Sequence, residues 1–148
     1  MSFVRPLADF ASLSFAALAC SSSDDTTGSS TGSVGNNKTI DCSAAACDCP
    51  ANGNCTMNCG GSACNVNVAS SANVTVNGGG GTVTVSCSGG ARCTVNGAGG
   101  GSTTTCTGGA ICTVNCTTGN CDVNCNGGAV CTGNKSGAGE LKCSGCAG

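Results

Sequence analysis

The stretch CTGGAICTVNCTTGNCDVNC, residues 106–125, decides the fold. Within it Cys112, Val114 and Cys116 alternate with Thr113 and Asn115, and Cys121, Val123 and Cys125 alternate with Asp122 and Asn124. Such period-two alternation marks a strand with one buried face, so the stretch holds two short strands. Glycine-rich corners lie between such strands, Gly89-Gly90-Ala91, Gly108-Gly109-Ala110 and Gly127-Gly128-Ala129 on one edge and Gly79-Gly80-Gly81 on the opposite edge, where the chain needs backbone freedom to turn.

The pattern recurs outward in both directions. Cys87, Cys106 and Cys125 are 19 residues apart, as are Cys93, Cys112 and Cys131. Carried through without a gap, the frame divides the chain into units 48–66, 67–85, 86–104, 105–123 and 124–142. Thr56, Thr75, Thr94, Thr113 and Thr132 then coincide, as do Asn58, Asn77, Asn96, Asn115 and Asn134. Two strands and two corners per unit predict an all-β, two-sheet β-solenoid of about five coils, stacked at about 4.8 Å into a rod roughly 25 Å long. The alternative, an antiparallel β-meander, would leave the Cys and Val face uncovered.

The frame also pairs the cysteines. At the second and eighth positions of the units stand Cys49 with Cys55, Val68 with Val74, Cys87 with Cys93, Cys106 with Cys112, and Cys125 with Cys131. At the twelfth and seventeenth stand Cys59 with Cys64, Gly78 with Val83, Gly97 with Ser102, Cys116 with Cys121, and Lys135 with Glu140. Cysteines that come and go together predict bridges within one coil, with opposite charges replacing the bridge in the last pair. Cysteines four apart on one strand, about 13 Å between Cα atoms, are too distant to bond, whereas those flanking a corner are brought together. Spacing alone adds Cys42 with Cys47 and Cys143 with Cys146, a set of 16 within the repeat domain, 39–148.

Composition bounds the rest. The 148 residues include 26 Gly and 17 Cys but only three Phe, and no Trp, Tyr or His. The large side chains of a conventional core are missing, and so much cysteine predicts an oxidising compartment and a disulfide scaffold. A net charge of -2 with five Lys and Arg, and no aromatic platform for bases, excludes nucleic acid as a partner. The absence of histidine leaves little with which to build an enzyme, and no cofactor or small-molecule substrate is evident.

Residues 1–19, with Arg5 and an apolar run from Phe10 to Ala19, read as an export signal too short to span a bilayer permanently. Ala17-Leu18-Ala19-Cys20, followed by Ser21-Ser22-Ser23-Asp24-Asp25, resembles the lipobox of bacterial lipoproteins. That resemblance implies a lipid on Cys20 as a membrane anchor, and Ser21 implies sorting to the outer membrane or surface of a Gram-negative cell. Residues 20–38, rich in Ser, Thr and Gly, read as a flexible tether with a mean reach of roughly 20–25 Å. The repeats, best seen in Val74-Thr75-Val76-Asn77-Gly78, resemble an uncharacterised family of exported Val-x-Val-Asn-Gly domains, which implies a fold and no activity.

Other chemistries find few residues to support them. Metal ligation wants clustered C-x-x-C motifs, and the chain has one, Cys143-Ser144-Gly145-Cys146, which reads as a structural bridge ahead of a redox pair. Calcium rolls need an aspartate in every turn, and only Asp48 and Asp122 fall within the repeats. The Thr and Asn columns resemble the flat arrays of insect ice-binding proteins, although stacked asparagines commonly serve the coil itself. Open solenoid ends suggest end-to-end self-association into a fibre. The resulting expectation is a non-enzymatic, surface-anchored structural lipoprotein, the alternatives being an ice- or glycan-binding face and a self-assembling fibre subunit.

Overall fold

The computed structural model describes residues 37–42 and 46–146. Among the described residues eleven strands form: β1 (Asn37–Asp41), β2 (Ala46–Cys49), β3 (Asn54–Asn58), β4 (Cys64–Val68), β5 (Asn73–Asn77), β6 (Thr82–Cys87), β7 (Arg92–Cys106), β8 (Ile111–Cys116), β9 (Cys121–Cys125), β10 (Val130–Lys135) and β11 (Leu141–Ser144). They stack as two parallel sheets. The first runs β1-β3-β5-β7-β8-β10. The second runs β2-β4-β6-β7-β9-β11. β7 belongs to both because it continues around the corner between them. Every pairing among the described strands is parallel, so the chain is a β-solenoid and the meander does not occur.

Alternation sets which face is buried. In β8 the burial runs exposed, buried, half-buried, buried, half-buried, buried, with Cys112, Val114 and Cys116 inward. Cysteine supplies 14 of the 28 buried hydrophobic residues, and most of the others are Val and Ala. Each contributes little area, so the interior holds together by close packing of small side chains between two sheets rather than by large ones.

One corner keeps its length and its closing backbone bond in five successive coils, as from Ala72 N–H to Ala69 O and from Ala110 N–H to Thr107 O, with a second left-handed residue, Gly89, Gly108 or Gly127, in the last three. Asn52, Ser71, Gly90, Gly109 and Gly128 occupy one column, all in the left-handed region at φ 61°, 60°, 77°, 77° and 79°. That conformation favours glycine and is tolerated by asparagine, which accounts for the glycine-rich spacing read in the sequence. Gly53, Ala72, Ala91 and Ala110 follow in a buried column, where the turn leaves room for a methyl at most. Backbone bonds carry the ladder through the bend, as from Gly90 N–H to Gly108 O at 3.1 Å and from Gly109 N–H to Gly127 O at 3.2 Å.

The opposite corner varies, and its variation is compensated in space. Bridges close it in the coils holding Cys59–Cys64 and Cys116–Cys121. Where the pair is Gly78 and Val83, a methyl added to Gly78 would lie 2.9 Å from Val83 Cγ2, so the valine fills the space a bridge would occupy. Where it is Gly97 and Ser102, the serine is 2% exposed. Its Oγ accepts from Val83 N–H at 3.0 Å and donates to Gly99 O at 2.6 Å.

The repeat holds at 19 from Asn54↔Asn73 through Ile111↔Val130 except for local shifts where β7 turns the corner, Thr82↔Gly99 and Ala98↔Cys116, and it departs from 19 at both ends. At the start Asn37 faces Asn54, which adds a sixth rung ahead of the five units read from the sequence. At the finish Leu141, not Glu140, faces Cys121. Lys135 and Glu140 therefore do not replace the bridge; Glu140 pairs with the exposed Lys142 at 3.7 Å. The reason lies in Gly133, which stands where neighbouring rungs carry Val114 and Val95. Leu141 Cδ2 would lie 2.8 Å from a methyl placed on Gly133, so the leucine fills the gap. A one-residue slip exchanges the two faces of a strand, and here it turns Leu141 inward and Lys142 outward.

Candidate functional site

The outward face of the first sheet is the most regular surface of the molecule. Thr39, Thr56, Thr75, Thr94, Thr113 and Thr132 stand in register on successive strands. Beside them run Asp41, Asn58, Asn77, Asn96, Asn115 and Asn134. Thr39 and Asp41 escape the 19-residue frame because the first step is two residues short, so the columns are longer than the sequence indicated.

The asparagines bond to one another along the rod. Asn77 Nδ2 donates to Asn58 Oδ1 at 3.0 Å, Asn115 to Asn96 at 2.7 Å, and Asn134 to Asn115 at 2.9 Å. Each such amide spends a donor on the neighbouring coil, so this column stitches rungs together, as stacked amides do in other cross-β arrays. The threonines at 56, 75, 94 and 113 are half-buried, and they present hydroxyl and methyl groups at the spacing of the rungs.

A third column, Asn37, Asn54, Asn73, Arg92, Ile111 and Val130, changes character along the rod from amide to cation to exposed apolar. Ile111 and Val130 are 38% and 52% exposed. A shallow groove of about 370 Å³ runs between this column and the threonines, over Asn54, Thr56, Asn73, Thr75 and Arg92.

The sixteen cysteines assigned to the repeat domain lie in eight bridges: Cys42–Cys47, Cys49–Cys55, Cys59–Cys64, Cys87–Cys93, Cys106–Cys112, Cys116–Cys121, Cys125–Cys131 and Cys143–Cys146. Their Cα separations run from 5.7 to 6.6 Å, inside the range a bridge needs. Three of them stack on consecutive coils. The sulfurs of Cys87, Cys93 and Cys112 lie within 4.8 Å of one another, and so do those of Cys106, Cys112 and Cys131. That closeness comes from the stacking. A disulfide sulfur carries no thiolate charge, so these triplets are not a ligand set in the oxidised chain.

Asp48 and Asp122 are exposed on the second sheet, on β2 and β9, with three strands between them, and form no joint site. Cys20, proposed for lipid attachment, lies outside the described residues. On the second sheet a groove of about 330 Å³ is lined by Thr103, Asp122, Asn124, Lys142, Cys143 and Ser144. The chain matches no protein family, no curated protein and no solved structure.

Proposed function

We propose that this chain is a non-enzymatic structural lipoprotein of a bacterial surface, a stapled rod carried on a polar tether from a lipid at Cys20. The observation behind the reading is that every bridge closes within its own coil, over sequence separations of 3 to 6 residues. Each bridged rung is then a covalent unit, the coil 67–85 being held between bridged neighbours, and the rod keeps its shape without large side chains or a bound partner. Such a body suits a spacer or scaffold outside the cell, where disulfides persist.

The anchor and the rod are tested together. Wild-type chain is expected in the membrane fraction, partitioning with detergent, and a Cys20→Ser variant in the soluble fraction. Protease added to intact cells should cut ahead of residue 37 and release a resistant fragment carrying the repeats. Soluble wild-type chain, or digestion within the repeats, would overturn the proposal.

A second reading rests on the in-register threonine column, which offers a flat, repeating hydroxyl and methyl face to an ordered ligand such as ice. On this reading the oxidised domain inhibits ice recrystallisation and a Thr75→Lys variant, central in the column, loses that effect. Recrystallisation at the rate of a control protein removes the reading.

A further inference from the structure

Fourteen of the sixteen bridged cysteines are buried, between 0% and 6% exposed. The bridge Cys143–Cys146 differs. Cys143 is exposed and Cys146 is half-buried against the end of the core. Among the described residues β11 pairs only with β9, and no described strand covers the inward side of Cys143. The bridge at the other end, Cys42–Cys47, is 0% and 1% exposed, so an end position alone does not open a disulfide to solvent. Cys143 also lines the groove on the second sheet, between Lys142 and Ser144, with Thr103 and Asp122 on the neighbouring strands.

Thiol–disulfide exchange requires a thiolate to reach a sulfur along the axis of the bond it breaks, and access therefore selects among bridges of similar chemistry. Seven bridges are reached only after a coil opens, whereas Cys143 is reached in the folded rod. We propose that Cys143–Cys146 is a thiol–disulfide exchange site, with Cys143 as the attacked sulfur and small dithiols as the substrate class.

The first dithiol thiolate attacks Cys143 Sγ, forming a mixed disulfide as the Cys143–Cys146 bond breaks. The electron pair leaves on Cys146 Sγ, which takes a proton from water. The second thiolate of the same molecule then attacks its own mixed-disulfide sulfur, releases Cys143 as a thiolate and closes into a cyclic disulfide. The bridge has been reduced by two electrons and the dithiol oxidised by two. This goes beyond the structural role proposed above and does not depend on it, since a rod can carry an exchangeable cap without being anchored.

The test uses the full oxidised chain and dithiothreitol at limiting concentration, quenched by alkylation and mapped by mass spectrometry. Cys143 and Cys146 should be labelled about tenfold or more faster than any other pair, with the far-ultraviolet strand signal unchanged. Two variants assign the attacked sulfur: Cys146→Ser, with Cys143 as its free thiol, should form a mixed disulfide with oxidised glutathione, and Cys143→Ser should do so several-fold more slowly. Opening of Cys143–Cys146 no faster than Cys42–Cys47, labelling of all pairs together with loss of the strand signal, or equal glutathionylation of the two variants would overturn the assignment.

Discussion

Complete reduction of the oxidised domain by excess dithiol, without denaturant, is expected to abolish its parallel-strand signal and make the repeats sensitive to protease. Two contributions to stability respond differently to reduction. Thiols remain small hydrophobes, so the burial of Cys87, Cys106 or Cys112 still favours the fold after reduction. The loop-closure term does not survive. Bridges with sequence separations of 5 or 6 each remove about 2 kcal/mol of conformational freedom from the unfolded chain. A domain of this size is stable by about 5–15 kcal/mol, so losing even half of the seven such terms consumes most of the margin. The core cannot compensate, because beyond cysteine its largest fully buried side chains are Met57 and a set of valines. Circular dichroism and pulse proteolysis of alkylated, reduced chain measure the effect. A reduced chain that keeps its strand signal and its protease resistance would show that small-residue packing alone suffices, against this account.

What the sequence made legible follows from where the repeat is strict. Residues 106–125 alternate so regularly that inward and outward faces could be read without any other information, and the pairing of Cys106 with Cys112 and of Cys116 with Cys121 followed from the frame. The ends were not legible by counting. Leu141 sits opposite Cys121 because Gly133 leaves a hole, a contact between strands that no periodicity encodes. The alternation of Leu141, Lys142 and Cys143 did carry the signal, since only the slipped register turns the leucine inward and the lysine outward. Thr39 and Asp41 were missed for a related reason, a first step two residues short of the frame. The Gly97 and Ser102 pair was visible as a departure from cysteine, but its meaning needed the structure. As for the candidate face, the columns of Thr and Asn were readable, while the three bonds joining the asparagines along the rod were not.

Replacing Ser102 with alanine is expected to destabilise the oxidised domain by about 2–4 kcal/mol, a large effect for the loss of one oxygen. The site lies where the ladder between β6 and β7 shifts register, Thr82 pairing with Gly99 but Thr84 with Thr103. Val83 lies between those two pairs, and its N–H donates to the Ser102 hydroxyl at 3.0 Å. The same hydroxyl donates to Gly99 O at 2.6 Å, so one side chain serves a backbone donor on one coil and a backbone acceptor on its own. Ser102 is 2% exposed and Val83 is 0% exposed, so water does not replace the lost oxygen. An unsatisfied buried group costs about 1–3 kcal/mol, and alanine leaves two of them exposed to that penalty without introducing any steric conflict. Ser86, exposed on the outer face of β6, is the matched control, and Ser86→Ala should change stability by less than about 0.5 kcal/mol. In thermal unfolding under non-reducing conditions the two variants should differ in Tm by roughly 10 °C or more. Equal midpoints would mean that the bulge is satisfied by other means, and that Ser102 is simply the small residue that fits where a bridge is missing.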